Sequence, residues 1–307
     1  MLNLHVMDQT PFATFSEASR STLKYLRNKY GYGAWMMTRK NGDEWVILQV
    51  EGDGYQIDEL TVINWNDSMC SRMVKGEGPR WAPDVDDIPS YVEAPIYRAE
   101  KIKSYVGIPV CFANGDLFGT LCAIDTVPSG RVPADGKETV ELVSKLLSSL
   151  LQLELQNIAL SRKQVSFLPE PLKDNQTGFL NRLGWSIYLE KEESNVRSVG
   201  TPLYIVALDV TLPSKEKGDE YQQLLTIVVS IINSSVTDEG VIARLSDNIF
   251  TILLANSSNK QFQLCLDTLE RELTEASVAA QIGSEKHNYT DKLDATVMSA
   301  IKSARSS

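Results

Sequence analysis

Redox chemistry and soft-metal binding start from cysteine and histidine, and this chain carries four of the first and two of the second. Cys70, Cys111, Cys122 and Cys265 are scattered, with no C-x-x-C pair and no histidine close by. Zinc sites and disulfide frameworks use tighter spacings, so reduced thiols and no metal or cofactor are expected. Cys70 and Cys122 make a redox switch only if folding brings them together; the competing reading is buried structural thiols. His5 and His287 lie far apart and give imidazole ligation little to build on. The run GEGPRW (76–81) holds only G-x-G, without the helix-and-lysine pattern of a phosphate loop. Asp67 directly precedes SMCSRMV and reads as a helix N-cap.

The 307 residues suit two domains, and 43% hydrophobic with 23% charged residues is ordinary for a globular chain with sizeable cores. A net charge of −10 argues against a broad surface for nucleic acid or anionic lipid. No apolar run reaches the roughly 20 residues that cross a bilayer, and the opening MLNLHVMDQT lacks the basic and apolar regions of a leader. A cytoplasmic protein is expected, with no nucleic acid and no membrane among its partners.

Which elements position these groups? Apolar spacing predicts an amphipathic helix over 16–29 with Ser16 as its cap. Strands at 34–37 and 45–50 flank Asn41-Gly42, a pair that suits two positive φ values in a hairpin. A short helix is expected from Asp67. SYVGIPVCFA and LFGTLCAID then read as strands joined by Asn114-Gly115. The expectation is an antiparallel sheet with helices on one side. A long helix follows over 135–167, with Val143, Leu146, Leu150, Leu153, Leu160 and Phe167 alternating steps of three and four and Asn157 and Gln164 filling the same seam. That is heptad spacing, read as a parallel homodimer stalk with Asn157 fixing register; the competing reading is a single helix packing on its own domain. Beyond it, helices at 181–193, 220–232, 260–276 and 291–304 alternate with strands at 203–209, 241–245, 249–254 and 278–282. An α/β sandwich with a mixed sheet is expected. The fold class is thus α+β followed by α/β, with boundaries at 1–134, 135–168 and 169–307.

SYVGIPV, a turn and GDLFGTLCAID resemble the late strands of a bacterial GAF domain, and WNDSMCSRMV with GEGPRWAPDV resembles its cover segment. DNQTGFLNRLGW resembles the D-x-L-T-G-L-x-N-R-R opening of GGDEF domains. LYIVALD (203–209) is similar to their first core strand, ending in a metal-binding aspartate. ARLSDNIFTILL (243–254) aligns with A-R-x-G-G-D-E-F, anchored by Arg244 and Phe250. QIGS and LDATVMSAIKSAR resemble the closing strand and helix, with Asp294, Ala300 and Arg305 matching.

The second resemblance implies a cyclase joining two GTP molecules, an in-line phosphoryl transfer that needs divalent cations held by carboxylates. Here Ser246 and Asp247 replace the two signature glycines, Asn248 the aspartate and Ile249 the catalytic glutamate; Phe250 is kept. Asp209 keeps the first metal position, but Thr211 stands where its partner belongs. The phosphate- and base-binding elements after that strand are missing, and the inhibitory R-x-x-D falls at Thr237 and Gly240. The expectation is a degenerate site with no catalytic residues and no metal.

The first resemblance implies a pocket between sheet and cover, lined by Trp65, Cys70, Arg72, Met73, Arg80, Asp84, Tyr91, Tyr105 and Cys122. Either Arg72 or Arg80 meets an anionic ligand, or the aromatics are core and the arginines pair with Asp84 or Asp86. No cysteine precedes a histidine, which argues against bilin attachment, and the lack of a pocket histidine argues against haem. The functional reading is a sensor controlling an inactive cyclase-like domain used for protein interaction, its small-molecule ligand or protein partner unknown. The alternatives are an active cyclase with non-standard residues and a nucleotide receptor.

Overall fold

A computed structural model describes residues 10–128, 132–216, 218–236 and 240–306. His5 and Thr237 lie outside the described residues, as does the side chain of Phe167. Chain contacts divide the molecule into two units, residues 1–155 with 198–200 and residues 156–197 with 201–307.

In the first unit, α1 (Phe15–Tyr30) buries Phe15, Ala18, Leu23 and Leu26 along one stripe. Its cap is Thr14, whose hydroxyl accepts from the Glu17 N–H, and not the expected Ser16. β1 (Ala34–Asn41) and β2 (Glu44–Gly52) form the hairpin, but Asn41 pairs with Glu44, so the loop is Gly42-Asp43. Only Gly42 takes positive φ, at 59°, which corrects the expectation for Asn41. After β3 (Val62–Asn64) comes a single 3-10 turn at Trp65–Asp67. It pushes the start of α2 (Met69–Val74) one residue on, so Ser68 and not Asp67 caps it. The cover continues through β4 (Trp81–Ala82), α3 (Pro89–Val92) and α4 (Pro95–Ala99). β5 (Ser104–Cys111) and β6 (Leu117–Asp125) complete an antiparallel sheet of order β3-β2-β1-β6-β5-β4.

Helix α5 (Ala134–Lys163) runs for 30 residues and ends in a 3-10 turn at Gln164–Phe167. One face, with Val140, Ser144, Leu147, Leu151 and Ile158, is buried. The heptad seam lies on another face: Leu146, Leu153 and Leu160 are each 58% to 60% exposed, Asn157 is exposed, and Val143 and Leu150 are half-buried.

The second unit holds α6 (Arg182–Val199), β7 (Leu203–Val210), α7 (Gly218–Ser235), β8 (Gly240–Arg244), β9 (Ile249–Ala255), α8 (Asn259–Glu275), β10 (Ala280–Lys286) and α9 (Leu293–Ser306). The sheet order is β10-β7-β9-β8, and all three ladders are antiparallel. The expected mixed sheet is thus not found in the strand ladders; among the described residues the parallel pairing present is a single bridge from Leu180 to Ala243 at the β8 edge. β7 and β8 do run the same way, but the β8–β9 hairpin folds β9 between them. Tyr204, Val206, Leu208 and Val210 face a core shared with α7 and α8. Alternate residues, Asp209 and Ile249 among them, face the opposite side of the sheet.

Candidate functional site

The hairpin between β8 and β9 carries the residues that chemistry would need. Arg244 pairs with Phe250 across the ladder, and the Leu245 N–H donates to the Ile249 carbonyl, leaving residues 246–248 as the tip. None of residues 245–249 has positive φ. The backbone therefore makes no demand for glycine, and serine and aspartate enter without strain. The Ser246 hydroxyl lies 3.1 Å from Asn248 Oδ1 and accepts from the Ile249 N–H. Asp247 is exposed and pairs with Lys215 at 2.6 Å, which raises the lysine's pKa.

Asp209 sits opposite Ile249 in the ladder. One carboxylate oxygen accepts a short hydrogen bond from the Asn248 side-chain amide, and the other lies 3.4 Å from Arg305 Nε. The adjacent backbone is locked too, with the Val210 N–H donating to the Asn248 carbonyl at 2.9 Å. Where a cyclase needs acidic groups converging on a cation, this site surrounds one carboxylate with an amide and a guanidinium. A divalent ion would have to displace Arg305, and its second carboxylate is absent because Ile249 is only 3% exposed and aliphatic. The donor set does not fit a hard cation. Among the described residues no group of three or more His, Cys, Asp or Glu side chains is arranged to hold a metal. Thr211 is exposed, and its N–H donates to the Ala279 carbonyl.

Arg244 is the anchor of this region and is 4% exposed. It donates to Asp174 at 3.3 Å, Gln176 at 2.8 Å, the Tyr221 hydroxyl at 2.6 Å and the Asp247 carbonyl at 2.8 Å. Its guanidinium lies 5.5 Å from the Phe250 ring centre. The opening turn Asp174–Gly178 is thereby tied to the hairpin. Burial of Asp174 opposes ionisation, but the Thr177 hydroxyl and Arg244 outweigh it and hold the carboxyl below its usual range. Sequence reasoning used Arg244 only to fix register and missed its partners. It also matched Arg305 without seeing that it reaches Asp209. Beside the hairpin, a cleft of about 570 Å³ is lined by Arg182, Trp185, Ser246, Ile249, Met298 and Arg305 among others.

In the first unit, Trp65, Cys70, Met73, Tyr91, Tyr105 and Cys122 come together in one apolar cluster, none more than 6% exposed. Tyr91 and Tyr105 meet edge to face at 5.1 Å. Arg72 is half-buried and Arg80 is exposed. Arg72 pairs loosely with Glu77 at 3.8 Å, and the exposed Arg80 pairs with Glu141 at 3.2 Å, so neither expected aspartate partner is used. Asp84 accepts from the Asp86 N–H, while Asp86 binds Lys103 and the Tyr97 hydroxyl.

Each unit is a separate module with its own helix-backed antiparallel sheet, as a two-domain chain requires. Family models agree: "GAF domain" matches residues 14–155, and "Diguanylate cyclase, GGDEF domain" matches residues 172–300. The chain is a GAF domain followed by a GGDEF domain, a pairing that indicates cyclic di-GMP signalling with a GAF sensor. No curated protein matches it. Among solved structures, the diguanylate cyclase SiaD of Pseudomonas aeruginosa, in complex with its activator SiaC, is 18% identical over 56% of this chain and 69% of its own, with a TM-score of 0.41. The GGDEF domain of DgcB from Caulobacter crescentus, in complex with c-di-GMP, is 14% identical over 45% and 91%, with a TM-score of 0.40. The FimX GGDEF domain of Pseudomonas aeruginosa is 17% identical over 44% and 95%, with a TM-score of 0.37. No helix among the described residues is long and apolar enough to cross a membrane.

Proposed function

We propose that this chain is a non-catalytic regulator, in which the GAF domain senses and the GGDEF domain presents a docking surface instead of a cyclase site. The observation that carries the reading is the Asp209 carboxylate, held by Asn248 and Arg305 beside a buried Ile249. In-line attack on a nucleotide phosphate needs cations to neutralise charge, and this site offers them one already occupied acid. Purified protein incubated with GTP and Mg²⁺ or Mn²⁺ is expected to form no cyclic di-GMP. Turnover that disappears in Asp209→Ala would overturn the reading.

The regulator acts as a parallel homodimer through the exposed seam of α5. Leu146, Leu153 and Leu160 recur at heptad spacing on a face its own chain leaves open, with Asn157 at a core position. A sensor can then bias the output through the register or rotation of two packed helices, provided its ligand binds the two states with different affinity. A second reading, a nucleotide receptor, draws support from the cleft rimmed by Arg182 and Arg305. A thermal shift with millimolar GTP supports it, and an unchanged melting curve removes it.

A further inference from the structure

Cys70 is placed unlike an ordinary buried thiol. It lies on α2, over the face of β6 that carries both Thr120 and Cys122, since residues two apart on a strand point the same way. The Thr120 hydroxyl donates to Cys70 Sγ at 3.2 Å, and so does the Tyr105 hydroxyl from β5. Thr120 is itself bonded to Thr38 Oγ1 at 2.8 Å, so a small polar network crosses an otherwise apolar cluster. Cys122 stands two residues beyond Thr120 on that same face and is buried with Cys70 in one cluster.

Gly107 makes this arrangement fit. It sits opposite Cys122 in the β5–β6 ladder, and a Cβ there would fall on the Tyr105 hydroxyl. The missing side chain is the space into which Tyr105 folds to reach Cys70. A neutral thiol behaves as a small hydrophobe and needs none of this. Two hydroxyl donors aimed at one sulfur suit a thiolate. Burial pushes Cys70 up, yet neighbouring Cys122 and the Thr120 and Tyr105 hydroxyls outweigh it and hold the thiol below its usual value. Cys122 goes the other way, raised by Cys70 and by burial, so Cys70 is the one of the two that loses its proton first.

We propose that Cys70 and Cys122 form a peroxide-reactive dithiol site inside the GAF domain, Cys70 attacking and Cys122 resolving. The Cys70 thiolate attacks a peroxide oxygen, the O–O bond breaks, and hydroxide leaves and is protonated to water. Cys70 is now a sulfenic acid, oxidised by two electrons. The Cys122 sulfur attacks Cys70, the S–S bond forms, and the departing hydroxide takes the Cys122 proton as a second water. Two thiols and one hydrogen peroxide become one disulfide and two waters. Tyr105 and Thr120 are positioning residues that stabilise the attacking thiolate. The chemistry is independent of whether the GGDEF domain is active.

The full chain in a Cys111→Ser background, which removes the other cysteine between Lys103 and Arg131, is treated with hydrogen peroxide, denatured, alkylated and digested. The expected product is a cross-linked pair of peptides containing Cys70 and Cys122, 2 mass units lighter than the two thiols and released by dithiothreitol. Tyr105→Phe is expected to slow Cys70 oxidation several-fold while Cys265 reacts as before. Cys122→Ala, a mild change in an apolar cluster, is expected to stop at a Cys70 sulfenic acid trapped by a dimedone probe. Complete alkylation of both thiols after peroxide, or oxidation of Cys70 to the same acids whether or not Cys122 is present, would overturn the proposal.

Discussion

Replacing Arg244 by leucine tests whether the hairpin is held by a charge network or by strand pairing alone. The side chain is 2% exposed and makes four hydrogen bonds, to Asp174, Gln176, Tyr221 and the Asp247 carbonyl. Removing one partner of a buried charge pair costs about 3–5 kcal/mol. Asp174 keeps the Thr177 hydroxyl and N–H at 2.7 and 2.9 Å, which puts the expected loss toward the lower end. In calorimetry of the full chain, the transition of the C-terminal unit should fall by roughly 10 °C, at about 2–4 °C per kcal/mol for a unit of this size. Arg244→Lys keeps the charge but not the fork, and should fall between the two. A pH signature accompanies the loss. The Asp174 carboxyl is held below its usual value of 3.8, so its contribution is present above that pH and is lost as pH falls through the folded value. That acid-side loss should shrink in the leucine variant. A leucine variant within about 0.5 kcal/mol of the parent, the range of surface substitutions, with an unchanged acid limb, would refute the network argument.

Leu146→Lys with Leu153→Lys places charges on the heptad face of α5 and should convert a dimer to a monomer by light scattering at tens of micromolar; a monomeric parent would remove the stalk. Arg162 and Glu192 form a two-pronged pair at 3.1 and 2.7 Å, 6% and 1% exposed, with Tyr188 also donating to the glutamate. Glu192→Leu should cost about 3–5 kcal/mol in chemical denaturation, and adding Arg162→Met should recover a good part of it. His287 is 3% exposed and hydrogen-bonded to Thr296 at 2.8 Å, and burial lowers its pKa from the usual 6.5. The unfolded chain then binds the proton first, so stability should decline as pH drops below about 6.5, a slope that His287→Asn should flatten in melting curves taken at several pH values.

Period and punctuation alone were enough to locate most elements. Short continuous apolar runs punctuated by Asn-Gly placed the main strands of the first sheet, because a strand covered on both faces reads as an apolar run between turn residues. Helix caps were legible only to within a residue or two: several short polar side chains precede α1 and α2, and any of them can cap until the chain's path selects Thr14 and Ser68. The mixed sheet was misjudged because strand direction along the chain does not say which strands become neighbours.

The sequence by itself determined the two-domain order, the heptad spacing along α5 and the residue types at the hairpin tip, since these are local properties of the chain. Only the tertiary structure decided which side chains surround Asp209 and Cys70. Asp209 meets Arg305 across 96 residues of chain, and Cys70 meets Tyr105 and Thr120 across 35 and 50. Such contacts carry no local period, because they are set by how helices settle on a sheet and not by the spacing of neighbours along the strand.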